Sequence, residues 1–379
     1  MPLRPPATPP LRALVVLFVL TALLIGPSSA VADGALTGKD APTKTKPKPK
    51  PKKPPKQKPL YWGAWIGDQL TGTGAPWDMG AVTKFEEIVG KGLSVVEFSQ
   101  PFADCGYTPC IFTRFPRPQM DAIRAYGAIP FYSWGSQSIP AAGPEQPDFQ
   151  LADVNAGTYD DYIRRFAEEV RDWGHPFFLR FNWEPNGEWF TWDEGVNGNK
   201  PGEFVTSWRR VHDIFGTVGA NNATWVWCPY ADKAERYGPL KRFYPGPSYV
   251  DWTCLDGYNW SKAPTHTRPW ASFDKIFWPN YKTIAKKIAP NKPMILGEMG
   301  TNGIGSRKAT WFSKMFSMLR TKYPRVRGLV YFNQHAQGIT WPIETSPASI
   351  NAFSLGVHSG PYRPNIFSEL AESPIRPPS

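Results

Sequence analysis

The stretch YDDYIRRFAEEVRDWGHPFFLRFNWE, residues 159–184, carries two periodicities in succession. Tyr162, Phe166, Val170 and Trp173 recur at four- and three-residue steps, the spacing of one buried helix face, so a helix is predicted over residues 159–173. FFLRFNW follows, short, aromatic and nearly without polar alternation, which suits a strand covered on both sides. The runs YWGAWI, SVVEFS, AIPFYSW, ATWVWC, DWTCLDGYN, PMILGEM and GLVYFN bring the strand candidates to eight, and helical patterns also fall at residues 81–89, 204–215, 276–288 and 311–323. Strands and helices interleaved between residues 60 and 374 predict an α/β chain folded as a (β/α)8 TIM barrel with inserted loops. An open doubly wound sheet is the alternative, but neither GxGxxG nor GxxxxGK followed by Ser or Thr is present to form a nucleotide crevice.

The N-terminal part reads differently. Arg4 and Arg12 precede an apolar run, Leu14 to Ile25, followed by Ser28, Ser29, Ala30 and Ala32, the order of a secretory signal peptide over residues 1–32. KTKPKPKPKKPPKQKP closes residues 33–59, which are expected as a disordered Lys/Pro-rich linker, and residues 375–379 are expected as a tail. The net charge of +11 lies almost wholly in residues 1–59, where eleven Lys and Arg face only Asp33 and Asp40. The folded part is therefore nearly neutral, which argues against nucleic acid as a partner. A solvated spacer is the preferred reading of the Lys/Pro tract, with contact to an anionic cell-wall polymer as the sharper one. The expected location is secreted and extracellular, and the expected state is a monomer.

Cys105 and Cys110, in CGYTPC, are close enough to staple a loop by a disulfide, while Cys228 and Cys254 lie on neighbouring strand candidates and either pair or stay as buried thiols. The five His are scattered without ligand spacing, and no metal or organic cofactor is expected.

A barrel of this kind places its chemistry where strands end at their C-terminal side. Glu184 ends the fourth strand candidate and Glu298 the seventh. Period-two alternation puts Arg180, Asn182 and Glu184 on one face, taken to look inward. Two carboxylates at one mouth are what glycosidic cleavage requires, one protonated to donate to the leaving oxygen and one ionised to attack or to activate water. Aromatic residues at strand ends strengthen this. Trp134, Trp189, Trp192, Trp260 and Trp341 are candidate platforms for the C–H faces of a sugar, whereas Trp173, Trp208 and Trp311 fall on helical patterns as core fillers.

RFNWEPNGEWFTW (180–192) resembles the fourth-strand signature of glycoside hydrolase family 26, the clan A barrels that include β-mannanases. ILGEMG (295–300) is similar to the family's seventh-strand segment, LDGYNW (255–260) to its sixth, and VWCPY, VYFNQ and ITWPIE to the fifth and eighth. The resemblance covers residues 60–367 and implies Glu184 as acid/base, Glu298 as nucleophile, Tyr258 as the hydrogen-bond partner of Glu298, and Trp341 as a sugar platform. Trp183 stands where such mannanases have His, and Pro185 where they have Met; Asn182 is the candidate for the missing hydroxyl contact.

The resulting expectation is a secreted retaining endo-β-glycanase acting on a β-linked polysaccharide, β-1,4-mannan first, then mixed-linkage β-glucan or β-xylan. The alternatives are an inverting hydrolase, a carbohydrate-binding pseudo-enzyme, and an adhesion protein working through the Lys/Pro tract.

Overall fold

The computed structural model describes residues 57–140, 143–231, 238–261, 268–303 and 306–379. The expected signal peptide, and all of the expected linker except residues 57–59, lie outside the described residues.

All eight strand candidates form barrel strands: β1 (Tyr61–Ile66), β2 (Val95–Asp104), β3 (Ile129–Ile139), β4 (Phe177–Phe181), β5 (Ala223–Trp227), β6 (Trp252–Asn259), β7 (Met294–Thr301) and β8 (Val326–Asn333). Each pairs in parallel with its sequence neighbours, and β1 pairs with both β8 and β2, so the sheet closes on itself. Closure needs Gly63 opposite Val95: a Cβ built on Gly63 would lie 2.0 Å from the Val95 carbonyl oxygen. A short strand, Ile111–Phe112, adds antiparallel to the end of β2.

The helices cover the barrel from outside. The longer ones are α1 (Gly80–Val89), α2 (Arg117–Ala125), α3 (Asp160–Trp173), α4 (Glu203–Val218), α5 (Phe273–Thr283), α6 (Ser306–Thr321) and α7 (Pro347–His358), and a short helix, Leu151–Ala156, precedes α3. In α3 the predicted stripe is buried, with Ile163 and Ala167 added, and each large apolar side chain so covered contributes roughly 1.5–3 kcal/mol. Gly174, at φ 73°, ends that helix. Helices α2 and α7 had no counterpart in the sequence reading. Helix α2 buries only Met120 and Ile123, too few positions to show a period.

Inside the barrel the N-terminal end is aromatic, with Phe178 packed edge-on to Tyr61, Phe131 and Trp252. One step up β4, Arg180 begins a polar layer. Cys105–Cys110 is bonded as expected, and Cys228 is bonded to Cys254, which settles the alternative left open by the sequence. Residues 375–379, expected as a tail, are instead fastened to the barrel. Ile375 is buried, its N–H donates to the Thr224 hydroxyl at 2.8 Å, and its carbonyl accepts from Trp252 Nε1 at 2.7 Å.

Candidate active site

Strand β4 ends at Phe181, and the next three residues leave the period-two pattern. Asn182 and Glu184 adopt φ of 43° and 56°, left-handed conformations that non-glycine residues rarely hold. Two backbone bonds keep them there: Asn182 N–H to the Trp134 carbonyl at 3.1 Å on the β3 side, and Glu184 N–H to the Cys228 carbonyl at 2.6 Å on the β5 side. Asn186 anchors the following turn through reciprocal bonds with the Tyr230 backbone at 2.8 and 3.1 Å. Asp193 closes it by accepting from the N–H groups of Trp189 and Phe190 at 2.9 and 3.0 Å. The chain thereby folds back so that Trp189 donates its indole N–H to Glu184 Oε2 at 2.6 Å. Gly187 leaves the room for this, since a Cβ there would lie 2.7 Å from the Trp189 ring.

Glu298 comes from β7 on the opposite side of the same cavity, whose volume is about 530 Å³. Arg180 Nη2 donates to its Oε1 at 2.5 Å, and the Tyr258 hydroxyl donates to its Oε2. Trp183, Trp189, Phe190, Tyr230, Trp260, Phe332 and Trp341 supply most of the remaining wall. The two glutamates therefore share a cavity and differ in their surroundings. Burial pushes the Glu184 carboxyl well above the usual range, with the negative charges of Asp256 and Glu298 acting in the same direction and the Trp189 bond opposing. Two donors, one of them cationic, are aimed at the oxygens of Glu298, as suits an anion held for attack.

Beneath this pair Arg180 is wholly buried and serves three acids from three strands. It donates to Glu97 of β2, to Asp256 of β6 at 2.7 Å and to Glu298, while its Nε reaches Ser133 at 2.7 Å. Burial works against the guanidinium charge, but the three carboxylates outweigh it and raise its pKa further. Burial likewise pushes Glu97 and Asp256 well up, with Arg180 opposing. Arg180→Met should destabilise the fold by about 3–5 kcal/mol, because it strands buried carboxylates without a partner. Raised folded pKa values mean that the native state holds protons the unfolded chain releases, so stability falls as pH rises from the ordinary carboxylate range through those raised values. Because Arg180 opposes that rise, its removal raises both carboxyls further, so the variant should fall further behind the wild type as pH rises above the ordinary carboxylate range, read as thermal midpoints across that range.

Several expected substrate contacts need correction. Arg180 and Asn182 do not reach the cavity: the former is committed to the acids beneath, and Asn182 is spent on Ser136, accepting from its N–H at 2.8 Å and donating to its hydroxyl at 2.9 Å. Trp134 points outward under α3, stacked on Phe166 with centroids 4.1 Å apart, because its inward-facing neighbour is Ser133. Trp192 is fully buried between Trp183 and Phe190, its N–H donated to the Trp183 carbonyl at 2.7 Å. Trp189, Tyr258, Trp260 and Trp341 do line the cavity with Glu184 and Glu298, although Trp341 shows only 2% of its surface and works as a wedge against Tyr258. Glu97 and Asp256 were missed. The alternation argument applied to β4 would have found both, since each is an acid flanked by apolar residues within a strand run.

Paired glutamates at the C-terminal mouth of a closed parallel barrel, facing one aromatic cavity, are the arrangement that glycosidic cleavage requires. The sequence matches the family model for Glycosyl hydrolase family 26 over residues 152–314. It is 30% identical over 320 residues to Endoglucanase H of Acetivibrio thermocellus, a match covering 83% of this chain and 32% of that protein. With Mannan endo-1,4-beta-mannosidase of Bacillus subtilis it shares 28% identity over 189 residues, 48% of this chain and 43% of the other. The fold is that of the catalytic domain of the Bacillus sp. JAMB-750 GH26 endo-beta-1,4-mannanase, with a TM-score of 0.59 at 16% identity over 83% of this chain and 91% of that one. Over residues 152–314 the chain is thus similar to glycoside hydrolase family 26. It spans less than half the length of either of the two sequence relatives.

Proposed function

We propose that the chain is a retaining endo-β-glycanase working by double displacement, with export carried by the signal-like residues 1–32. The observation that carries this reading is the contrast between Glu184, whose carboxyl burial pushes well above the usual range, and Glu298, held between Arg180 and Tyr258, in one cavity. A Glu298 oxygen attacks the anomeric carbon as the bond to the leaving oxygen breaks, and Glu184 gives that oxygen its proton. Glu184, now a carboxylate, takes a proton from water, which attacks the same carbon and releases Glu298.

Within this reading β-glucan moves ahead of mannan, which the sequence motifs alone put first. The match to an endoglucanase runs over most of the chain, that to the mannosidase over about half, and Trp183 alters the residue before the acid/base. The chain covers 32% of that endoglucanase, so its name supports the substrate class without fixing the sugar. Contact of the Lys/Pro tract with anionic wall polymer rests on its charge alone.

The test is reducing-end release from mixed-linkage β-glucan, β-1,4-mannan and β-xylan, with the anomer of the first product read by NMR. Release with retained β configuration supports the reading. Binding without release from any of the three would overturn it in favour of a glycan-binding pseudo-enzyme.

A further inference from the structure

Lys308 sits in the first turn of α6, away from the acids described above, and none of its surface is exposed. Burial draws its amine down to about 7, with Glu344 opposing. A cation there also lies against the helix dipole. An apolar residue would fill the space without either cost.

What the ammonium holds is one short segment. Its Nζ donates to three successive carbonyls, those of Thr340 at 3.0 Å, Trp341 at 2.8 Å and Pro342 at 2.6 Å. The Trp341 carbonyl accepts a second bond, from the Tyr331 hydroxyl of β8 at 2.6 Å. The ring of Trp341 is thereby fixed against Tyr258, centroids 4.9 Å apart, and against Trp260 at 5.2 Å. Gly300 leaves room for the rings of Trp341 and Tyr258, since a Cβ there would lie 2.9 Å from each of these two. Tyr258 in turn donates to Glu298.

We infer that Lys308 is a positioning residue for the nucleophile: it pins the Trp341 backbone, whose ring sets Tyr258, whose hydroxyl aims Glu298. This rests on the reading of Glu298 given under the proposed function. Because the relay ends on the attacking group and not on the distal walls of the cavity, loosening it affects the chemical step more than substrate binding.

The experiment is a double-mutant cycle between Lys308→Met and Trp341→Ala on the best glycan of the panel, with thermal midpoints measured alongside. Lys308→Met is expected to lower kcat about tenfold with KM changed less than about twofold, and to have little further effect in the Trp341→Ala background. Equal losses in both backgrounds, or a kcat unchanged from the wild type, would overturn the inference. If Lys308→Met does not fold, Tyr331→Phe removes one donor to the same carbonyl, and should lower kcat about threefold with the same coupling to Trp341. Near-ultraviolet circular dichroism gives a readout that needs no turnover. The band that Trp341→Ala removes should be diminished by Lys308→Met even if the wild type cleaves nothing, and its persistence would refute the relay independently of the catalytic reading.

Discussion

Glu298→Ala is expected to bind glycan and lose turnover by a factor on the order of 10⁵, since among the described residues no other group in the cavity is held between a guanidinium and a phenol. The geometry makes a sharper statement than loss alone. With Glu298 removed and Glu184 still able to protonate a leaving group, azide can occupy the vacated side and attack the anomeric carbon once. A single displacement inverts configuration, so the product should be an α-glycosyl azide. Formation of the β-azide, or turnover within tenfold of wild type, would assign the attacking role elsewhere.

Glu184→Ala should behave differently. The loss on a polysaccharide, whose leaving oxygen needs a proton, is expected to be about 10³- to 10⁵-fold, while the glycosylation step with a dinitrophenyl β-glycoside should change little. Azide then intercepts the glycosyl-enzyme without needing a base, giving the β-azide, the opposite anomer from the Glu298 variant. The pH dependence follows from burial. Glu184 must be protonated to act as acid, and its carboxyl lies well above the usual range, so wild-type kcat/KM should fall on the alkaline side through that raised value. Glu184→Ala should lose this alkaline limb in its residual activity on the polysaccharide. A limb that survives the substitution would show that another group supplies the proton.

The division between what was legible in the sequence and what was not has a physical basis. Buried parallel strands are short, apolar and rich in aromatics, so all eight stood out, as did the stripe of α3. That Glu184 and Glu298 line one cavity followed from their places at strand ends on one side of the barrel. The orientation of Asn182 was misjudged because period-two alternation was carried past Phe181, where the chain turns left-handed and aims that amide at Ser136. Trp134 and Trp192 looked like platforms because composition does not say which side of a strand, or which layer of a loop, a ring occupies. Counting register from Arg180 through its partner Ser133 would have turned Trp134 outward. The acids Glu97 and Asp256 were within reach of the same counting.

The indole of Trp189 touches Glu184 through a single hydrogen bond while keeping 39% of its surface open to solvent. An excited indole is sensitive to the charge at its N–H, so the protein carries an optical indicator at the group proposed to gain and lose a proton in every cycle. Subtracting the emission of a Trp189→Phe variant would isolate that indicator from the other tryptophans. The ionisation of Glu184 could then be followed directly, in the resting protein and as the covalent intermediate builds and decays.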